Sequence, residues 1–293
     1  MIHTPRLNGV KPVKTRISVT RTVGHLAVPF CLLSHHRSGS NFLNELIRSH
    51  SLLSSLKEPF AQHLSLFAEC DIERWEAQPP PERAAWLADP FVQAYLNDLR
   101  GWLLAAPRRG FKETRLAEKL VWLEALVSPV RLILLVRDPR AVTVSILRRP
   151  HLIDYWIPVS QLAHLPPSTF RDRAEHDPVY RSALIWAHRH RQLLLEELRT
   201  RPMLLVRLED LLAGPDMTLT RLFSFLGDLQ PEPAQITLMK DLWSPARHYT
   251  ASYSLRRRPQ DVLHDCRGLP VHDRRTVERV CGDVMTHLGY LET

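Results

Sequence analysis

The stretch FCLLSHHRSGSNFLNELIRSH, residues 30–50, passes from an apolar run through a small polar turn into an amphipathic run. The apolar run favours a buried β-strand, and the spacing of apolar residues over 41–50 favours a helix with one apolar face. In an open parallel sheet, a strand, turn and helix in this order point backbone N–H groups at an anion beyond the strand end. The stretch therefore predicts an α/β fold with an anion-binding turn.

Short apolar runs alternate with longer amphipathic runs along the rest of the chain, as is typical of parallel strands joined by crossover helices. The predicted strands are 29–34, 53–57, 109–113, 131–137 and 202–208. The predicted helices are 41–50, 116–127, 179–199 and 216–227. The strand RLILLVR, 131–137, is almost unbroken in its hydrophobicity, so we expect it to be covered on both faces and to form the middle of the sheet.

The length of 293 residues and the 44% of hydrophobic residues suit one large α/β domain or two small ones. We interpret residues 26–293 as one domain that follows a basic tail over 1–25, although an Arg-rich start without Asp or Glu is also typical of a transit peptide. The sequence contains no run of about eighteen consecutive apolar residues, so it predicts no membrane span. Four scattered cysteines without a CxxC pair predict neither a zinc site nor a disulfide framework, which favours a cytoplasmic location.

The formal net charge of +8 favours an anionic partner: a nucleic acid, a membrane surface or a phosphorylated small molecule. Two long stretches, 147–178 and 243–272, show neither helix nor strand periodicity and are rich in Pro, His and Arg. Long irregular segments in a compact domain are often lids or binding loops. We therefore expect both stretches to lie over a ligand site and to select the substrate.

The polar turn offers several donors to an anion. Gly39 permits a tight turn, Ser38 and Ser40 add hydroxyl groups, Asn41 adds an amide, and Arg37 adds a forked set of charged donors. The pattern GxxxxGK[ST] of nucleoside triphosphate loops is absent, which disfavours magnesium-dependent ATP chemistry. By itself, so short a string favours the alternative, a plain polar turn from strand to helix with a helix cap.

A second candidate motif is LLVRDPRAVTVSILRR, residues 134–149. Arg137 ends a predicted strand, and Ser145 follows about two helical turns later, so the two side chains are able to clamp one phosphate if the helix runs beside the sheet. The alternative is that Arg137 pairs with Asp138 or Asp210 and that Ser145 is a surface serine.

Taken together, these strings resemble a known family. RSGSNFLNELI resembles the 5′-phosphosulfate loop of sulfotransferases, and LILLVRDPRAVTVS resembles their 3′-phosphate motif, in the expected order. Three further strings are similar to the carbohydrate branch, notably the N-acetylglucosamine 6-O-sulfotransferases: KEPF at 57–60, LVRLEDLLAGPDMTLTRLFSFLG at 205–227 and HLGY at 287–290. The resemblance implies a three-layer, P-loop-like fold with a central parallel sheet flanked by helices.

The resemblance also implies an activity, the transfer of a sulfuryl group from 3′-phosphoadenosine 5′-phosphosulfate (PAPS) to a hydroxyl of a small molecule or glycan, with no metal and no nucleic-acid partner. The residues that it assigns to the donor are Arg37, Ser38, Gly39, Ser40, Asn41 and Phe42 for the 5′-phosphosulfate, Arg137 and Ser145 for the 3′-phosphate, and Arg257 in the basic run LRRRP at 255–259 as part of a closing loop. The alternative for this run is a solvated basic face. Cytosolic members carry Lys in place of Arg37. Animal secretory members carry an N-terminal membrane anchor, and this sequence shows no such segment. We therefore expect a bacterial-type cytoplasmic enzyme.

Sulfuryl transfer requires a base for the acceptor proton and positive potential at the departing oxygen, which we expect Arg37 to supply together with the amides of the polar turn. Glu58 follows the second predicted strand, and we expect it to be the base, beside the strand that leads into the polar turn. Lys112, at the end of the GFKET strand, should reach the same edge and meet the sulfuryl group. The alternatives are a surface carboxylate before Pro59 and a solvated lysine.

Four histidines also invite a chemical role. His35 and His36 lack a third and a fourth metal ligand, so we interpret them as loop residues near the sulfate. We expect His188 and His190 on a helix surface.

Two other functions share some of these features. A small-molecule kinase would share the sheet and the anion turn, but the chain lacks the Walker lysine, and strand 131–137 ends in Arg instead of Asp. A nucleic-acid-binding protein would suit the basic charge and the run RRR at 256–258, but we find no known binding module.

Overall fold

The computed structural model describes residues 28–59, 90–114, 130–159, 169–194, 203–243 and 259–292. Its sheet has five strands, namely β1 Phe30–Ser34, β2 Ser54–Lys57, β3 Arg109–Glu113, β4 Arg131–Val136 and β5 Met203–Arg207. They are all parallel and lie in the order β2-β3-β1-β4-β5. The predicted α/β class is confirmed, and each predicted strand agrees with the structure within one residue at either end.

The predicted position of strand β4 at the middle of the sheet is wrong. β1 lies at the centre, between β3 and β4, and β4 lies one place further out, between β1 and β5. Both strands are covered on both faces and almost fully buried. An apolar run therefore identifies an interior strand, but it does not distinguish the central strand from its interior neighbour.

Helices cover the two faces of the sheet. In chain order they are α1 Ser40–Arg48, α2 Pro90–Leu104, α3 Pro139–Leu147, α4 Ile153–Trp156, α5 Thr169–His176, α6 Pro178–Leu193, α7 Leu208–Ala213, α8 Pro215–Phe225, α9 Pro233–Trp243, α10 Pro259–Leu263 and α11 Val271–His287. Short 3₁₀ turns span Pro150–Leu152 and Asp265–Gly268. The predicted helices 41–50, 179–199 and 216–227 correspond to α1, α6 and α8, and the predicted helix 116–127 lies outside the described residues.

The core has two halves, one on each face of the sheet. Successive side chains of a strand point to opposite faces, so Cys31 and Leu33 of β1 pack with α2, α3, α6 and α11, while Phe30 and Leu32 pack with α1, α7 and α8. The sheet thus lies between two layers of helices. This three-layer arrangement leaves the carboxyl ends of the strands as the edge where polar residues gather.

The prediction that 147–178 and 243–272 are irregular is wrong for their described parts. The first stretch contains α4, α5 and a 3₁₀ turn, and the second contains α10 and the turn Asp265–Gly268. Helices α4 and α10 and the two 3₁₀ turns are too short to show a helical period in the sequence. Tertiary packing supports them, because Trp156, Val262 and Leu269 are buried in the core.

Candidate active site

Four neighbouring strands place polar residues at one edge of the sheet. β1 leads into His35 and the polar turn, β2 leads into Glu58, β3 carries Lys112 near its end, and β4 leads into Arg137. Because all the strands are parallel, their carboxyl ends meet at this edge. Arg37 and Arg137 of the two predicted motifs, 100 residues apart in the chain, therefore lie side by side.

The turn between β1 and α1 is a tight backbone loop. Arg37 and Gly39 have φ angles of 66° and 88°, in the left-handed region. Glycine suits this position, because an L side chain is strained at this φ angle and a Cβ would lie 2.9 Å from Cδ1 of Leu208, a buried side chain of α7. The predicted role of Gly39 in the tight turn agrees with this geometry.

The N-terminus of α1 leaves backbone donors free to face an anion. No described side chain caps this end, and the first hydrogen bond of the helix runs from the N–H of Leu43 to the carbonyl of Gly39. Ser38 Oγ is buried and has no partner among the described residues. Phe42 packs its ring into the core, so its backbone N–H is the group that faces the turn. The turn has the geometry of an anion site.

The side chain of Arg37 connects the two predicted motifs. Its Nε donates to Ser145 Oγ at 3.0 Å, and its guanidinium carbon lies 4.7 Å from the centre of the Trp156 ring. Burial, followed by the positive charges of Arg149 and Arg137, lowers the pKa of Arg37 to about 10, so it stays charged at neutral pH. The predicted 5′-phosphosulfate cation thus touches the residue predicted for the 3′-phosphate.

Lys112 and Glu58 form an ion pair beside the turn. Lys112 Nζ donates to Asn41 Oδ1 at 3.0 Å and to Glu58 Oε1, and the hydroxyl of Thr114 donates to the same Glu58 oxygen at 3.1 Å. The lysine side chain is 1% exposed and the glutamate side chain 26%. Lys112 is therefore a buried cation between the predicted base and the polar turn. It is not the solvated lysine of the alternative interpretation.

The two charges of this pair control each other. Burial raises the pKa of Glu58, but the ammonium of Lys112 and the hydroxyl of Thr114 outweigh it and hold the pKa below the usual glutamate range. Burial lowers the pKa of Lys112, and Glu58 offsets only part of that effect. Glu58 is therefore ionised at neutral pH. The donors to this carboxylate among the described residues bond its Oε1.

The predicted neighbour of Glu58 is corrected by the structure. β3 separates β2 from β1, so Glu58 does not follow the strand next to the one that leads into the turn. Its backbone N–H instead donates to the carbonyl of Lys112 at 2.7 Å. Lys112, from the intervening strand, bridges the distance between Glu58 and Asn41.

Arg137 has a different partner from both carboxylates named in the sequence alternative. Its Nη2 donates to Asp265 Oδ2 at 2.7 Å, while its Nη1 donates to the carbonyl of Arg37 at 2.9 Å. Asp138 instead caps α3 by accepting from the N–H of Arg140 at 2.8 Å. Asp265 lies 128 residues from Arg137. No local pattern in the sequence indicates this contact.

A carboxylate missed by the sequence analysis holds the turn after β4. Glu209 Oε1 accepts from the N–H of Asp138 at 3.0 Å, and its Oε2 accepts from the hydroxyl of Tyr290 at 2.9 Å. Burial raises the pKa of Glu209, against these hydrogen bonds. The two residues belong to the strings LVRLED and HLGY, which the resemblance had singled out without a role. They support the start of α3.

We expect Tyr290→Phe to lower the free energy of unfolding by about 1–2 kcal/mol, because Glu209 Oε2 loses the hydrogen bond of a hydroxyl donor. Urea unfolding of the variant and the wild type measures the difference. Tyr155→Phe is the control, since that side chain is 54% exposed. Equal unfolding free energies for Tyr290→Phe and the wild type would show that the bond adds nothing to stability.

Three of the four histidines, His35, His36 and His190, are buried, and the predicted surface position of His190 is wrong. His190 of α6 is fully buried, and its ring lies 4.0 Å from Trp186 and 6.2 Å from His35, between ring centres. His35 is also buried directly after β1, whereas His188 is partly exposed. Burial lowers the pKa of His190 to about 4 and that of His35 well below the usual value, so both are neutral at pH 7. Within the described ranges, no three His, Cys, Asp or Glu residues cluster as metal ligands.

Arg257 and the rest of the basic run before Pro259 lie outside the described residues. The roles of the other predicted donor residues are not tested by these contacts and stay predictions. The contacts do bring one set together at a single edge: the polar turn, Ser145, Arg137, Lys112 and Glu58.

Solved structures share this fold. The sulfotransferase domain from the curacin biosynthetic pathway is 18% identical, with a TM-score of 0.52, over 91% of this chain and 99% of that domain. The sulfotransferase domain from the Synechococcus PCC 7002 olefin synthase is 17% identical, with a TM-score of 0.54, over 90% of this chain and 97% of that domain. No protein-family model matches the chain, and no curated protein matches it. At these identities the likeness shows the fold: the chain has the α/β fold of sulfotransferase domains.

Among the described helices, none is both long and apolar enough to cross a membrane.

Proposed function

We propose that the protein is a sulfotransferase that moves the sulfuryl group of PAPS to an acceptor hydroxyl. One observation carries this proposal: the turn after β1 and the turn after β4 meet, since Arg137 donates to the carbonyl of Arg37 and Arg37 donates to Ser145. A nucleotide with phosphates at both its 5′ and 3′ positions needs two anion sites close together. The fold shared with sulfotransferase domains supports the same conclusion.

In this proposal the donor lies across the two turns. The N-terminus of α1 binds the 5′-phosphosulfate together with the hydroxyl of Ser38, which has no partner in the described part of the chain. Arg137 and Ser145 bind the 3′-phosphate, and Arg257 closes over the nucleotide. As the bond from sulfur to the bridging oxygen breaks, negative charge grows on the departing phosphate. The fixed N–H groups of α1 then interact with it more strongly than in the ground state.

Glu58 and Lys112 act at the acceptor side. Glu58 Oε2 takes the proton of the acceptor hydroxyl while the hydroxyl oxygen attacks sulfur in line with the departing oxygen. Lys112 keeps Glu58 ionised, and its buried positive charge lies next to Asn41 at the edge of the turn. It therefore lowers the energy of charge that builds up on the sulfuryl oxygens. These steps need no metal.

The finer parts of the proposal concern the acceptor and the setting. The strings similar to the carbohydrate branch favour a sugar hydroxyl as the acceptor. The second choice is a small-molecule hydroxyl, because the similar structures described above come from a biosynthetic pathway and an olefin synthase. We place the enzyme in the cytoplasm, as one domain over 26–293 after a tail over 1–25. We assign it no nucleic-acid partner.

Nucleotide binding tests the donor. Adenosine 3′,5′-bisphosphate at about 100 times its dissociation constant should stabilise the protein by roughly 2.7 kcal/mol and raise its melting temperature by several degrees. AMP at the same concentration should raise it less, because it lacks the 3′-phosphate. A larger shift with magnesium-ATP would instead favour the kinase. Radiolabelled PAPS with a panel of sugars, phenols and alcohols then identifies the acceptor.

A further inference from the structure

A buried carboxylate already occupies the proposed 3′-phosphate site. Asp265 lies in the 3₁₀ turn Asp265–Gly268, and its side chain is 1% exposed. Its Oδ2 accepts from Arg137 Nη2 at 2.7 Å, and its Oδ1 accepts from Arg148 Nη1 at 2.6 Å. One two-oxygen anion thus bridges the guanidinium at the end of β4 and the one that follows α3. A phosphate would bridge the same two groups in the same way.

Asp265 reduces the number of Arg137 N–H groups that are available to a phosphate. Nη2 uses its two N–H groups on Asp265 and on the carbonyl of Val262, at 3.3 Å, and Nη1 donates to the carbonyl of Arg37. Nε is buried and has no partner among the described residues. Both two-donor edges of a guanidinium, Nε with Nη2 and Nη1 with Nη2, include Nη2. Arg137 therefore offers no complete fork to a phosphate while Asp265 is bound.

The contacts also indicate that Asp265 is not needed to orient Arg137. Without the carboxylate, the carbonyl oxygens of Arg37 and Val262 still hold Nη1 and Nη2. What Asp265 alone supplies is a negative charge, next to two positive charges that would otherwise attract a phosphate. A charge in this position competes with an anionic ligand.

We propose that Asp265 sets the donor affinity of the site by competing with the 3′-phosphate for Arg137 and Arg148. This inference rests on the proposed function. When the bisphosphate binds, its 3′-phosphate takes Nη2 of Arg137 from the carboxylate, and the turn Asp265–Gly268 moves off α3. When the product leaves, Asp265 pairs with the two arginines again. The carboxylate weakens the binding of product and donor alike, and it speeds the release of product after each turnover.

The direct test is Asp265→Asn, which keeps the shape of the side chain and removes its charge. We expect it to bind adenosine 3′,5′-bisphosphate about tenfold more tightly, or about 1.4 kcal/mol, with little change for AMP. Calorimetric titration of both nucleotides gives the ratio of affinities. Asp261→Asn is the matched control, because Asp261 is exposed on α10 of the same segment. Its ratio should equal that of the wild type.

The ratio compared is the affinity for adenosine 3′,5′-bisphosphate divided by the affinity for AMP. If this ratio is unchanged or lower in Asp265→Asn, the proposal is overturned, because the carboxylate then only orients the arginines. If the wild type binds neither nucleotide, the proposed function fails instead, so the two failures are distinguishable.

Loss of a buried partner can unfold a protein, so a second measurement uses the wild type alone. Two backbone hydrogen bonds stabilise the segment around Asp265. The N–H of Arg267 donates to the carbonyl of His264, and the N–H of His264 donates to the carbonyl of Gln260. We expect saturating bisphosphate, but not AMP, to speed hydrogen exchange of these two amides, because the turn moves when Asp265 is displaced. Slower exchange would contradict displacement and overturn the proposal.

Discussion

Glu58→Gln should lower the rate of sulfuryl transfer at least about 100-fold, since a general base contributes about 100- to 10,000-fold to a rate. The amide has nearly the shape of the carboxylate, but it cannot take the proton of an acceptor hydroxyl. It also removes the negative charge that partly sustains the pKa of Lys112. Both effects act on the chemical step.

Donor binding should survive the same change. The described contacts of the Glu58 side chain are with Lys112 and Thr114, and none is with the backbone of the polar turn. The affinity for adenosine 3′,5′-bisphosphate should therefore stay within about threefold of the wild type, a difference well under 1.4 kcal/mol. The transfer rate is measured with radiolabelled PAPS and the acceptor that the wild type uses. The affinity is measured by calorimetric titration.

Glu45→Gln is the matched control, because that carboxylate is 43% exposed on α1 and pairs only with Arg48 among the described residues. Its transfer rate should equal the wild-type rate. Turnover by Glu58→Gln at the wild-type rate would remove Glu58 from the mechanism. The wild-type rate should also hold as the pH falls through the usual glutamate range, because Lys112 and Thr114 keep the pKa of Glu58 below it.

Acid should destabilise the protein before its carboxylates titrate. Burial lowers the pKa of His190 from 6.5 to about 4, and burial with the charge of Arg189 lowers that of His35. An unfolded chain exposes both rings, so below pH 6.5 it binds protons that the folded protein does not. Folding stability is therefore full above about pH 6.5 and falls as the pH drops towards about 4. His190 alone accounts for roughly 3 kcal/mol over that window.

Urea unfolding at pH 7 and pH 5 measures the effect. The wild type should lose about 2 kcal/mol or more between these values through His190, because most of its titration window lies there. Glu209 acts in the opposite sense, since its raised pKa lets the folded protein bind a proton that the unfolded chain releases. His190→Gln isolates the ring, because it removes one titrating group and leaves Glu209 in place. His188→Gln, at a partly exposed position of the same helix, is the control.

The pH 7 to pH 5 loss should shrink in His190→Gln and stay unchanged in His188→Gln. An equal loss in the wild type and in both variants would mean that His190 does not carry the acid sensitivity of the fold.

The burial of His190 was readable from the sequence. Ala183, Trp186 and Ala187 precede it at helical spacing on the buried face of α6. Histidine is polar, so we expected it at the surface, but the helical spacing of the apolar residues places position 190 on the buried face. Both described bonds of the two imidazoles end on nearby carbonyl groups, His35 Nδ1 on that of His36 and His190 Nδ1 on that of Trp186. Each carbonyl satisfies one nitrogen of a neutral ring, while Nε2 of both rings is buried and has no partner among the described residues.

Short helices were the weakest part of the sequence analysis. α4, α10 and the turn Asp265–Gly268 have five residues or fewer, so they complete at most about one turn and show no period. They form because their flanking apolar residues reach the core. The prediction that both stretches are irregular was wrong for their described parts, because their structure depends on what they pack against.

The five parallel strands, the tight turn at Gly39 and the gathering of polar residues at one edge of the sheet follow from the sequence. Each depends on a local pattern: an apolar run, a glycine between serines, or the direction common to all strands of a crossover sheet. Only the tertiary structure decided that β1 is central, that Lys112 links Glu58 to Asn41, and that Asp265 is the counter-ion of Arg137. These contacts join residues from 54 to 128 positions apart, and packing selects such partners among many carboxylates and cations that look alike in the sequence.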